Sequence, residues 1–175
     1  MLAALRTKLK SNVVFGRKRM KRIFLALLLV SSVVFAAESV WGDKLNERDP
    51  VYQLKIDKYP NFETEMVLKN GKHIRFCCVK AMMNFYFHPE KYPEYGVKDR
   101  NEIDKMFVKD YLDGTKVDAK KAWYIFGSRI VGPHGDDLIP LSSKARAELF
   151  VKRYGGSRIM TTDKFTYGLI HYLDM

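Results

Sequence analysis

The side chains able to do chemistry gather in two places. Residues 73–88 read HIRFCCVKAMMNFYFH and bring together His73, Cys77, Cys78, Met82, Met83 and His88. His134 stands further on, in a GPHG loop of the kind where function concentrates. Thiolates, thioethers and imidazoles are donors for soft metal ions, so the set points to soft-metal binding. Adjacent cysteines are strained partners for each other, and no structural disulfide within the chain is expected. Structural zinc asks for four Cys/His ligands in paired spacings such as C-x2-C, a pattern this chain lacks. Ser128 in FGSRI is not in a nucleophile elbow, and the two thiols lack C-x-x-C redox spacing, so hydrolysis and dithiol exchange rank below metal binding.

Each donor also has a plainer use. Methionine in a helix is ordinarily core, and free cysteine packs as a small hydrophobe. His73 beside a hairpin turn is a solvated residue in that reading, and His88 before Pro89 serves the helix end.

Local pattern says what must position these groups. FETEMVL alternates from Phe62 to Leu68, Asn70-Gly71 is the favoured type I′ pair, and KHIRF resumes the alternation, which predicts a β-hairpin. VKAMMNFYF then carries apolar side chains at helical spacing until His88-Pro89 closes it. Cys77 and Cys78 fall at the strand–helix junction, where helix amides are expected to lower a thiol's pKa. His73, four residues before Cys77, shares its strand face; Met82, four after Cys78, shares its helix side. Joining either subset to His134 requires the GPHG loop to fold over the helix start. A loop rich in Pro and Tyr covers 89–101.

From Ile103 the order repeats. A strand holding Met106 and Val108, a turn at Asp113-Gly114, the buried strand AWYIFGS and the LIPL segment lead to a helix. Ser142 or Ser143 caps that helix, Ala145, Leu149 and Phe150 supply its inner face, and Gly155-Gly156 ends it after Tyr154. SRIM adds a strand and DKFTYGLIHYLDM a terminal helix. The expected fold is α+β, with two similar ββαβ-type halves at about 61–101 and 102–165, preceded by a polar lead-in arm at 37–60.

The net charge of +11 does not describe this domain. Eight of the 31 Lys and Arg lie within residues 1–37, which hold no acid, leaving 23 against 20 for the rest. A near-balanced surface argues against nucleic acid. RKRMKR followed by IFLALLLVSSVVFA and AES has the layout of a secretory signal peptide, with cleavage expected after Ala36. Met20 offers a second start, which would leave 1–19 upstream. The mature protein is therefore expected in the periplasm, or held at the inner membrane if the leader stays uncut.

The second half resembles the NosL family, accessory proteins of nitrous oxide reductase. VDAKKAWYIFGS, GPHG, LIPL and AELFVKRYGG follow the family's order and spacing, and FCCVKAMMNFYF fits its first half more loosely. The resemblance implies a fold related to organomercurial lyase and an exported, non-enzymatic protein that binds Cu(I) and delivers it to the reductase. The chain departs from the family in three ways. It has no lipid-bearing cysteine and no early Cys-Gly-Met, and His134 stands where the GPMG loop has its copper-ligating methionine. The ligand set expected here is therefore drawn from Cys77, Cys78, His134, Met82, Met83 and His73. The contrasting expectation is a partner-binding module that keeps the fold without the metal, docking through Phe87, Tyr92 and Tyr95.

Overall fold

The computed structural model describes residues 46–175; the leader, its cleavage point and the first part of the arm lie outside the described residues. Strands β1 (Thr64–Leu68) and β2 (His73–Phe76) form the expected hairpin, with Thr64 opposite Phe76 and Met66 opposite Ile74. Its turn is not type I′, which needs positive φ at both central residues. Gly71 has φ 82°, but Gln53 is the one non-glycine with positive φ among the described residues, so Asn70 does not. Asn70 instead accepts the Lys72 N–H through Oδ1 at 3.0 Å, and Gly71 N–H closes onto Leu68 O at 2.9 Å.

Helix α1 (Val79–Phe87) follows at once and packs on the apolar face of that hairpin. Phe85 meets Phe76 edge to face at 5.3 Å between centroids, and Met66, Ile74, Met82 and Met83 are buried in the same cluster. Each such side chain contributes about 1.5–3 kcal/mol on burial.

Strand β3 (Ile103–Lys109) lies beyond the expected boundary between halves, yet it hydrogen-bonds to β1. With β4 (Lys116–Asp118) it completes a four-stranded antiparallel sheet in the order β2-β1-β3-β4. Strands β5 (Trp123–Phe126), β6 (Ile139–Leu141) and β7 (Arg158–Met160) make a second antiparallel sheet, with β5 in the middle. The α+β class thus holds, and the two halves are joined through one shared sheet.

Helix α2 (Lys144–Tyr154) starts at Ser143, whose hydroxyl accepts the Arg146 N–H at 3.3 Å. It buries Ala147 and Phe150 against the second sheet, while Ala145 and Leu149, both expected inside, are exposed. Helical phase decides this: 147, 150 and 151 share one stripe, and 149 falls outside it. Gly156 has φ 151°, and a Cβ there would come within 2.5 Å of Ile125, so β5 and α2 meet at a point that admits no side chain. Helix α3 (Tyr167–Tyr172) lies beside α1, with Tyr167 against Phe87 and His88. Among the described residues no helix is long and apolar enough to cross a membrane.

Candidate metal site

The two cysteines sit where the sequence places them, at the junction of β2 and α1. Cys78 is in extended backbone and caps the helix, its sulfur accepting the Ala81 N–H at 3.5 Å. Both thiols are free and fully buried, with sulfurs 3.8 Å apart. Two buried carboxyls flank them. Asp49, from the lead-in arm, accepts the Cys77 N–H at 3.1 Å and the Val51 and Tyr52 N–H groups. Asp137 accepts the Lys80 N–H at 3.0 Å and the Leu138 N–H at 2.7 Å through Oδ1. The carboxyl interacts with the Cys78 thiol, and its buried Oδ2 has no hydrogen-bond partner of normal length and angle.

Burial reverses the expected effect of the helix amides on the thiol. Loss of solvent, then the neighbouring Cys77 and Asp137, push the Cys78 thiol well above its ordinary value. One weak N–H contact to sulfur does not offset full desolvation. Burial likewise raises Asp49, and it pushes Asp137 up to about 6 although Cys78, backbone N–H groups and Lys80 pull the other way.

Lys80 is the residue sequence reading missed. Its side chain is completely buried, and its Nζ donates to His134 O at 2.6 Å and Leu173 O at 2.9 Å and pairs with Asp174 Oδ1 at 3.1 Å. Asp174 also accepts from Tyr52 Oη at 2.6 Å and Asn84 Nδ2 at 2.9 Å. Burial alone would raise Asp174, but these hydrogen bonds outweigh it and hold the carboxyl below its usual range. The His134 ring stacks on Tyr52 at 4.0 Å, with Nδ1 3.9 Å from Asp174 Oδ1, and its side chain is half exposed. A Cβ on Gly132 would lie 3.0 Å from Asp137 Oδ2, so the loop closes tightly there. The GPHG loop therefore does fold over the helix start, as a site joining His134 to the thiols requires.

The remaining donors lie elsewhere. His73 is part of a charge network on the sheet face opposite α1, with Nδ1 2.5 Å from Glu65 Oε1. The strand ends at Phe76, so the shared face expected for His73 and Cys77 is interrupted. Lys116 pairs with the same Glu65, and Arg75 and Lys109 pair with Glu63. Met82 and Met83 are core. His88 pairs with Glu90 at the helix end. Tyr92 and Tyr95 both pack on Phe85 and are half-buried. Among the described residues no group of three or more His, Cys, Asp and Glu is placed to hold a metal.

Asp137 gives the metal-free protein a pH signature. Its folded pKa of about 6 lies above the ordinary 3.8, so the native state holds a proton that the unfolded chain has already lost. Stability therefore falls as pH rises from about 4 to about 6, by about 3 kcal/mol in all for this group. Asp137→Asn keeps an oxygen for the Lys80 and Leu138 N–H groups, and urea unfolding across that range is expected to show the fall removed.

An α+β domain with a roofed dithiol at a strand–helix junction is the class this structure defines. The NosL family model matches residues 45–169, and the chain belongs to that family. Among solved structures, the copper chaperone NosL from Shewanella denitrificans is similar at 22% identity and a TM-score of 0.60, covering 76% of this chain and 99% of that one. The apo-NosL protein from Achromobacter cycloclastes is 22% identical with a TM-score of 0.44, covering 61% and 87%. No curated protein matches the chain.

Proposed function

We propose that this chain is an exported copper(I) carrier that hands its metal to a periplasmic cuproenzyme, nitrous oxide reductase by family resemblance. The observation that carries the reading is the pair of buried thiols 3.8 Å apart beneath the GPHG loop. Two thiolates sharing a three-coordinate ion through bonds of about 2.3 Å stand about 4 Å apart. Soft sulfur in a low-coordinate setting favours Cu(I) over zinc, which would require four ligands. The similar Shewanella protein is described as a copper chaperone, which supports the same cargo.

In this reading Cys77 and Cys78 are the principal ligands. His134 is the donor on the loop, and Met82 is packed in the core. Met83 stays in the core and His73 stays with Glu65. Metal entering the dithiol replaces the Cys78 proton with a positive charge, which offsets the cost of burying a thiolate. Asp137 is the adjacent base that takes up that proton. The chain carries and exchanges metal and catalyses no reaction.

The test is an anaerobic titration of the reduced chain with Cu(I) against a chromogenic chelator. One tight equivalent per chain is the expected result. Failure to compete with the chelator sinks the reading.

A further inference from the structure

The near-balanced charge of the domain is unevenly spread. No Asp or Glu stands between Asp118 and Asp136, or between Glu148 and Asp163, and the fold lays parts of these two segments side by side. Arg129 N–H donates to Tyr154 O at 2.9 Å, Ser157 N–H to Phe126 O at 2.8 Å, and Phe126 lies opposite Arg158 in the β5–β7 register. Arg129 Nη2 reaches Arg153 O at 2.8 Å, while the guanidiniums of Arg153 and Arg158 lie over Tyr154 and Phe126, 5.2 and 5.4 Å from the ring centroids. With Lys152 these make four exposed cations at one corner of the second sheet, and among the described residues none of them is ion-paired. Of the exposed acids in the flanking segments, Glu148 is paired with Lys144 and Asp163 with Lys164, which leaves Asp136 alone against the four.

Part of this corner serves the fold. Lys152 and Arg153 in the last turn of α2 suit the helix dipole, and Arg129 closes the helix end. That use does not extend to Arg158, which lies beyond the helix, or to the apolar residues beside the cations. Leu149 stands one turn before Arg153 on the same side of α2 and is 62% exposed; Val131, two residues beyond Arg129, is 69% exposed. Neither belongs to a core cluster. Two separate aliphatic side chains do not make the continuous apolar centre of a protein interface, and the nearby rings of Phe126 and Tyr154 are overlaid by guanidiniums rather than bare. Cations interspersed with single projecting aliphatics are instead the pattern of a surface that lies on a lipid headgroup layer.

We infer that this corner is a membrane-docking face, on which Arg129, Lys152, Arg153 and Arg158 meet the phosphates of an anionic phospholipid surface while Leu149 and Val131 enter its headgroup layer. Guanidinium groups match phosphate oxygens two at a time, and a cation close to an anionic bilayer strengthens association about fivefold. The inference does not rest on the copper-carrier reading.

The test reads which face touches lipid, because the apolar leader gives the full chain a hold of its own on a vesicle. In the Cys77→Ser/Cys78→Ser background a single added cysteine carries a fluorophore, at Ala145→Cys one turn before Leu149 or at Asn70→Cys in the turn of the other sheet. Vesicles of phosphatidylglycerol and phosphatidylcholine contain a spin-labelled lipid that quenches at short range. The label at 145 is expected to be quenched well beyond the label at 70, and the excess to vanish on phosphatidylcholine alone or in high salt. Lys152→Gln/Arg153→Gln/Arg158→Gln, with the leader untouched, should weaken docking by about a hundredfold and abolish the excess. Leu149→Ser, with all four cations kept, should reduce it. Equal quenching of the two labels, or an excess at 145 that survives both high salt and the triple variant, overturns the inference. Salt-sensitive binding of poly-L-glutamate that the triple variant loses, without excess quenching by vesicles, would assign the corner to an acidic protein and overturn the membrane assignment.

Discussion

Replacing Cys77 and Cys78 together by serine lowers Cu(I) affinity by more than about a hundredfold, roughly 3 kcal/mol or more. The magnitude follows from the donor chemistry. A serine hydroxyl is a hard, neutral donor that does not ionise at neutral pH, so the variant presents no soft anion to the ion. The fold should survive the change. A hydroxyl at position 78 is a better helix cap than the thiol it replaces, because oxygen accepts the Ala81 N–H at closer range. At position 77 the cost is that of a buried hydroxyl, about 1–3 kcal/mol. Circular dichroism checks the fold, and the chelator competition measures the affinity. The pH dependence gives an independent handle. Burial holds the Cys78 proton on, so metal must displace it, and wild-type affinity climbs more steeply with pH than the residual binding of the variant. Equal affinity in wild type and variant removes Cys77 and Cys78 from the site.

Much of the scaffold was legible because it is written in local pattern. The alternation of FETEMVL and KHIRF yields β1 and β2, and the apolar spacing of VKAMMNFYF yields α1 with its observed limits. Ser143 and Gly155 mark the ends of α2 as expected. The placement of Cys77 and Cys78 at a helix start was also local, as was the need for the GPHG loop to reach them. The pairing of β3 with β1 was not legible. An antiparallel strand carries no sequence mark of its partner, and both the expected and the observed arrangements satisfy the same alternation.

The polar half of the site was illegible for a related reason. A lysine in the first turn of a helix reads as a solvated face, and aspartates in a polar arm or a glycine loop read as surface. Lys80 is buried because its acceptors arrive from 54 and 93 residues away, and Asp49 because the arm folds back onto Cys77 28 residues later. Such partners exist only after the chain has folded. The thiol's electrostatics went astray on magnitude. The amide dipoles at the helix start are real, but the sequence does not say that the sulfur has lost all of its water, and that loss dominates.

Lys80 supports the second large expectation. Lys80→Met keeps the volume of the buried stem and removes the charge, leaving His134 O, Leu173 O and Asp174 Oδ1 without their shared donor. Breaking a buried charged contact from one side costs about 3–5 kcal/mol, and urea unfolding at neutral pH is expected to show a loss of that size. The loss should shrink toward pH 4. Lys80 is one of the groups that draws the Asp137 pKa down, so without it the carboxyl takes up its proton at higher pH and the penalty falls on the ionised form. Hydrogen exchange locates the damage. Amides of residues 132–137 and 173–175 should exchange faster than in wild type, while those of β1 and β2 change only with global stability, because Lys80 is what fastens the loop and the residues after α3 to α1. A cost below about 1 kcal/mol with unchanged exchange in the loop would mean that stacking on Tyr52 and the packing of Gly132 on Asp137 hold the roof without the ammonium group.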